Sequence, residues 1–290
     1  MFKLLTGHTQ DLGGFSVRRL LPHQAQRAVG PWVFFDHMGP AQFAPGEGIN
    51  VRPHPHINLA TVTYLFAGEI LHRDSLGSLQ AIRPGDLNLM IAGRGIVHSE
   101  RETETAKQHT RDLHGLQLWL ALPEEAEELE PEFIHYPSAS LPALTLQNVR
   151  VRVLIGTAYG VSSPVKTLSP TLYIEADLKA GQNLALPKGV PELGVYVASG
   201  QLQLGEQCLD TYTLSVLDSA YQGELVAQSD SRIAMIGGAP LGKRYMWWNF
   251  VSSRKERIEE AKLEWKNQSF PLVPGDEQEF IPLPTYSASR

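Results

Sequence analysis

The apolar residues of this chain come in runs of strand length, at 61–67, 87–92, 116–122, 151–155, 172–176, 195–198, 202–204 and 233–236, often bounded by glycine or proline. Many short strands with frequent turn residues, here 25 glycines and 20 prolines in 290 residues, dictate an all-β fold of sandwich or barrel type. The length suits two domains. A faint internal repeat agrees: Tyr64-Leu-Phe-Ala-Gly68-Glu-Ile-Leu and Tyr196-Val-Ala-Ser-Gly200-Gln-Leu-Gln each read as strand, glycine turn, strand.

Two stretches break the pattern. The acidic run 124–130 ends at Pro131 and reads as a solvated linker or helical turn, which divides the chain into 1–130 and 131–290. Near the C-terminus, Ser253 and Glu256 form a capping-box pattern ahead of Ile258, Ala261 and Trp265, which share one helical face, so a helix is expected over 253–267. The tail after Phe270, rich in Pro, Ser and Glu, is expected to lie as an extended strap.

The charge of −6 comes without a basic patch, which argues against direct binding of nucleic acid. The one cysteine, Cys208, forms no internal disulfide and is read as a small buried apolar residue. The N-terminal sequence lacks the apolar region of a signal peptide. No apolar stretch approaches the roughly 20 residues that span a bilayer. A cytoplasmic location, with no membrane association, is the expectation.

Histidine carries the functional information. All ten lie at or before position 135. His54 and His56 flank one residue, as do His98 and Glu100. On an extended strand, positions i and i+2 point to one side, so each pair can aim two ligands into one space. Three imidazoles and a carboxylate suit Fe(II), Mn, Co, Ni, Cu or Zn. A six-coordinate ion there would keep about two positions open. Surface or core histidines, or a closed structural zinc site, answer to the same pattern.

The surrounding motifs narrow the choice. Pro53-His-Pro-His56 leads into Thr61-Val-Thr-Tyr64; Gly68, His72-Arg-Asp-Ser75, Pro84-Gly-Asp86 and Ala92-Gly-Arg-Gly-Ile-Val-His-Ser-Glu100 follow in order. Gly30-Pro31 and Phe35-Asp-His-Met-Gly-Pro40 precede them, Leu113-His-Gly-Leu-Gln-Leu-Trp119 comes after, and Tyr245-Met-Trp-Trp-Asn-Phe250 closes the series. Together they resemble the pirin family of the cupin superfamily, densely over 15–136 and more loosely beyond. The resemblance implies two tandem cupin, jelly-roll-like β-barrels with a short C-terminal helix. It implies one divalent metal, Fe(II) foremost, on His54, His56, His98 and Glu100 of the first barrel, and a second barrel without ligands. Ala60 and Thr61 stand where cupins in general carry a glutamate, so Glu100 supplies the carboxylate. Ile57 to Ala60, Ala67 and Leu89 depart from commoner family residues and are expected to line or back the pocket, with Asn58 at positive φ.

Pirin-like proteins are associated with quercetin 2,3-dioxygenase activity. The implied partners are a small aromatic substrate and O₂, with Glu100 as the general base that takes the flavonol 3-hydroxyl proton. Two other readings stand beside this one. One is a non-enzymatic, metal-dependent regulator that binds a protein partner, as a transcription cofactor does. The other is a ring-opening enzyme for which quercetin stands in for another enediol or catechol. Further expectations are a tight turn at Gly93 and Gly95, Asp36 and His37 as supports of the site or a structural cluster, His72 and Asp74 projecting together into solvent, Trp247 and Trp248 packing the C-terminal segment, and a monomer.

Overall fold

The computed structural model describes residues 2–11, 15–218 and 220–285. The apolar runs of the sequence all lie on strands, two of them overrunning the strand end by one residue, and the strands assemble into two barrels of like construction. Each barrel has a seven-stranded and a four-stranded sheet. The large sheet of the first is ordered Glu132–Tyr136, Leu87–Ile91, Leu59–Ala67, Arg111–Ala121, Trp32–Phe43, Ser16–Leu21, His8–Asp11. That of the second is ordered Phe2–Thr6, Thr213–Leu217, Glu192–Ser199, Ser231–Gly238, Thr171–Leu178, Val149–Ile155, Ala143–Leu146. The barrels exchange outer strands: residues 2–6 join the second and 132–136 the first.

The strand Leu59–Ala67 explains how the barrels meet. It is buried on both faces, and alternation divides the faces between two cores. Ala60, Val62 and Tyr64 join a cluster that includes Leu154, Tyr173, Tyr196 and Ile236 of the second barrel. Leu59 and Leu65 pack into the first barrel. The repeat noted in the sequence is real at this level. Tyr64 and Tyr196 both precede a hairpin whose glycine, Gly68 or Gly200, has φ near +90°. At either position a Cβ would strike backbone within 2.4 Å, so only glycine fits. Both tyrosines reach into the opposite barrel. Tyr64 OH donates to the Glu175 carboxylate and accepts from Arg152 Nη1 at 2.9 Å. Tyr196 OH lies 2.6 Å from His37 Nδ1.

The C-terminal segment returns to the first barrel. Phe250 bridges Ile57, and the helix Lys255–Lys266 sets Ile258, Ala261 and Trp265 against Ile57, Val97 and Phe270. The expected apolar face is present, but the capping box is not. Ser253 N and Oγ both bond the Glu127 carboxylate, at 2.8 and 2.9 Å. Glu127 is also the correction to the solvated reading of 124–130. It is 2% exposed and paired with Arg244 at 3.2 Å, because a buried carboxylate must recruit donors, and Ser253 is one of them. Only 124–126 form the helical turn, of 3-10 type.

Beyond Phe270 the chain is a strap over the first barrel. Ile281 N donates to Pro53 O at 2.8 Å, and Arg101 holds Asp276 and Glu279 at 2.8 and 3.0 Å. The last tail residues, 286–290, lie outside the described residues. Cys208 is partly exposed rather than buried, with Sγ 3.7 Å from Asp210. Among the described residues no helix is long and apolar enough to cross a membrane.

Candidate metal centre

The four-stranded sheet of the first barrel is ordered Val51–His56, Ile96–Arg101, Ile70–Asp74, Leu79–Ile82. Its register sets His54 beside His98 and His98 beside Asp74, with Glu100 beside His72 on the next rung of that face. Between His98 and Glu100 the strand Val51–His56 spends three residues against two, since His98 pairs with His54 and Glu100 with Val51. The bulge falls at Arg52–Pro53, where proline has no N–H to give to a ladder.

His54, His56 and His98 are 6%, 1% and 2% exposed, and one ring nitrogen of each lies within 4.8 Å of the others. Their remaining nitrogens decide what they can do. His54 Nδ1 donates to Arg52 O at 2.9 Å and His56 Nδ1 to Asn249 O at 3.1 Å. A carbonyl only accepts, so both protons sit on Nδ1 and both Nε2 atoms keep their lone pairs. His98 Nε2 is 3.1 Å from His56 Nε2. Two nitrogens bound about 2.1 Å from one ion at right angles would be separated by about 3.0 Å. Burial holds His54 at a pKa of about 4 and His56 and His98 well below the usual range, with neighbouring histidine charge lowering the latter two further. Neutral imidazoles with converging lone pairs are the form a divalent ion requires. The donor set therefore fits a metal.

Glu100, expected as a fourth ligand, lines the same cavity as the three histidines. The cluster of mutually close ligand atoms comprises the histidines. Burial pushes the Glu100 carboxyl up to about 7, and no donor among the described residues meets it.

Behind His98 the structure departs from expectation. His72 and Asp74 do not face solvent; they are 5% and 0% exposed. His98 Nδ1 lies 3.4 Å from His72 Nδ1, and His72 Nε2 lies 2.9 Å from Asp74 Oδ2. Asp74 Oδ1 accepts from Leu76 N and Ser78 N at 2.9 and 3.0 Å. Burial alone would raise the Asp74 pKa; the bonds from His72 and Ser78 outweigh it and lower it. His72 stacks on Phe133 at 4.2 Å, with 10° between the rings. The solvent reading failed because alternation fixes only which face a residue occupies, and here that face is the barrel interior.

The cavity measures about 790 Å³. Phe15, Phe34, Met38, Trp119, Met246 and Trp248 supply apolar wall, and Arg19, Asp36, Gln117 and Glu100 supply polar groups. Phe34 stacks on Trp119 at 3.9 Å, and Trp119 turns its edge to His56 at 5.0 Å. Trp247 and Trp248 pack against Phe250 and also line the cavity, which the sequence reading did not expect. Asp36 lines it too, held by two bonds from Arg19 at 2.8 and 2.7 Å, while His37 points to the second barrel. Ile57, Ala67 and Leu89 are absent from the lining: Ile57 packs under Phe250, and Leu89 sits in the core between the barrels. Asn58 does take positive φ, +57°, and its N–H bonds Gly93 O in the tight turn that precedes His98. The Asn249 carbonyl was missed altogether, since a backbone acceptor 193 residues away from His56 leaves no mark in local sequence.

Comparison with known proteins gives a consistent result. The family model described as Pirin matches residues 14–120, and that of the Pirin C-terminal cupin domain matches 173–271. A pirin-like protein of Caulobacter vibrioides is 45% identical over 95% of this chain and 96% of its own length. A protein of Pseudomonas aeruginosa named as a candidate quercetin 2,3-dioxygenase is 40% identical over 88% of this chain and 80% of its own. Among solved structures, a quercetin 2,3-dioxygenase from Acinetobacter baumannii superposes with a TM-score of 0.92 at 32% identity, covering 100% of this chain and 97% of that one.

Proposed function

The chain belongs to the pirin family, and from that premise we propose a metal-dependent dioxygenase that opens the ring of quercetin or a related flavonol or enediol, with His54, His56, His98 and Glu100 holding one divalent ion, Fe(II) foremost. One observation carries the reading: three imidazole nitrogens converge in an aromatic-lined cavity. What a divalent ion supplies at that position is Lewis acidity toward a ring hydroxyl and a meeting point for an electron-rich ring and O₂. Phe34, Trp119 and Trp248 offer flat walls to a flat substrate. Glu100 is the general base. As ligand or displaced ligand, its carboxylate lines the same cavity as the three histidines and would take the 3-hydroxyl proton. The ring would then open with both atoms of O₂ entering the product and one ring carbon leaving as CO.

The substrate is sought among flavonols first. The residues that depart from commoner family choices, Ile57, Ala67 and Leu89, do not line the cavity, so they give no reason to look elsewhere.

The test is elemental analysis of protein purified without added metal, paired with O₂ uptake on quercetin and on simple catechols after Fe(II) loading. One equivalent of metal, with uptake that disappears in His56→Ala and falls at least about tenfold in Glu100→Gln, is the expected result. One equivalent of metal without uptake on any of these compounds would sink the dioxygenase and favour a regulator. Undiminished turnover in Glu100→Gln would remove Glu100 as the base.

A further inference from the structure

The three histidines are not held alike. His54 and His56 give their Nδ1 protons to backbone carbonyls, which fixes both tautomers unconditionally. His98 has no carbonyl; its Nδ1 faces His72 Nδ1 at 3.4 Å. Two imidazole nitrogens share a proton only if one carries it and the other does not. Which one does is decided further back. Asp74 spends Oδ1 on the amides of Leu76 and Ser78 and turns Oδ2 to His72 Nε2 at 2.9 Å. An ionised carboxylate accepts only, so the His72 proton lies on Nε2, and a neutral His72 offers a lone pair at Nδ1. That lone pair calls for the His98 proton on Nδ1, which leaves Nε2 free to bind; the opposite tautomer would donate Nε2–H to His56 Nε2 at 3.1 Å but set the two Nδ1 lone pairs against each other. Phe133 stacked on His72 holds that ring in the plane the arrangement needs.

We infer that Asp74, acting through His72, is the positioning residue that sets the ligand tautomer of His98. The inference rests on the metal reading of the three histidines and adds residues that touch neither metal nor substrate. It also makes His98 the one histidine of the three with a full negative charge behind it, one ring away, where His54 and His56 have a carbonyl dipole. Outer partners of this kind raise ligand basicity and are worth about 10- to 100-fold in metal affinity.

Asp74→Asn separates this role from a structural one. The amide oxygen can keep the Leu76 and Ser78 bonds, so the turn survives. The amide nitrogen then faces His72 Nε2 and donates to it, which moves the His72 proton to Nδ1, against His98. His98 is driven to the Nε2–H tautomer, in which it cannot bind a metal. His72→Phe is the second variant, since it keeps the stack on Phe133 and deletes the acceptor.

The experiment is zinc affinity by chelator competition on wild type and both variants. Long-range ¹H–¹⁵N correlation of the imidazole nitrogens in the zinc-loaded and metal-free proteins reads the tautomers directly, and metal-free melting temperatures control for folding. Expected are a 10- to 100-fold weaker zinc affinity in both variants, a changed His98 tautomer in metal-free Asp74→Asn, and wild-type-like melting. Unchanged affinity in a folded variant overturns the inference. So does weaker affinity with the His98 tautomer unchanged, which makes Asp74 merely structural. A wild type that binds no zinc, nickel or iron defeats the metal reading itself, and the inference with it.

Discussion

The small sheet of the first barrel carries His54, His98 and Asp74 on one rung and Glu100 and His72 on the next. The small sheet of the second barrel runs Asn183–Ala185, Glu224–Ala227, Leu202–Leu204, Gln207–Leu209, the same order of connection. One of its rungs reads Leu184, Leu225, Leu204, and the next pairs Ala227 with Leu202. All five are at most 2% exposed and belong to that barrel's core. The architecture is indifferent to what fills this face. Leucine fills it with transfer free energy and packing; histidine and carboxylate fill it at a desolvation cost that only a ligand or a closed hydrogen-bond chain offsets. The first barrel is therefore built like the second with this face given over to buried histidine and carboxylate, and the contrast can be tested by moving residues one way or the other.

The largest effect should come from making the first barrel resemble the second. His98→Leu removes the proposed ligand at the centre of the sheet. Zinc affinity should fall about 100- to 1,000-fold, one ligand's share of the ~10–16 kcal/mol typical of a structural zinc site. The metal-free melting temperature should hold or rise, because a buried polar ring gives way to an apolar one. Calorimetric titration and a thermal melt read both quantities. A sharp loss of metal-free stability would mean that His98 is first a packing residue.

Much of this contrast was legible in the sequence, and for a physical reason. Strand periodicity aims His54 with His56 and His98 with Glu100, so two local patterns were enough to nominate the cluster, and the absence of histidine after His135 leaves the other barrel without imidazole donors. What alternation cannot say is whether a face looks into a barrel or out of it. His72 and Asp74 obey the same period-two rule as the candidate ligands, and only the closure of the sheet shows that they lie inside. Long-range acceptors were likewise invisible. Asn249 and Glu127 each make a contact more than 120 residues away, with His56 and Ser253, and the Glu127 contact is what replaced the expected capping box.

The reverse comparison is a cut into the apolar face. Leu225 is fully buried between Leu184 and Leu204. Leu225→Ala should destabilise the protein by about 2–5 kcal/mol, the usual range for a leucine lost from a rigid core. Metal stoichiometry and affinity should not change, since no residue of this sheet lines the metal cavity. Urea unfolding gives the first quantity and elemental analysis the second. Loss of metal in this variant would show that the two barrels are energetically one unit and that their division of labour is only geometric.

The smallest expected effect is on the pH dependence of stability, and it lies where the barrels meet. His37 is fully buried, between Tyr196 of the second barrel and His114, whose Nε2 lies 2.7 Å from its own. Burial first, then the charges of His114 and Arg18, lower its pKa from 6.5 to about 3; burial, Arg232 and Arg18 lower that of His114 to about 4. Both rings are thus neutral in the folded protein at pH 5, whereas the unfolded chain protonates them below about 6.5. The unfolded state binds more protons in that window, so the contribution is complete above pH 6.5 and is lost as pH falls toward 4 and 3. Each such histidine costs at most about 1.4 kcal/mol per pH unit, or about 2 kcal/mol for His37 between pH 7.5 and 5. His37→Gln keeps a hydrogen-bonding group for Tyr196 and removes the titration. Metal-free wild type should therefore lose more stability than His37→Gln between those two pH values, by up to that amount, even though the variant is the less stable protein at pH 7.5. Parallel curves for the two proteins would mean that His37 titrates in the fold as it does in the unfolded chain, and that its burial between the barrels does not hold it neutral.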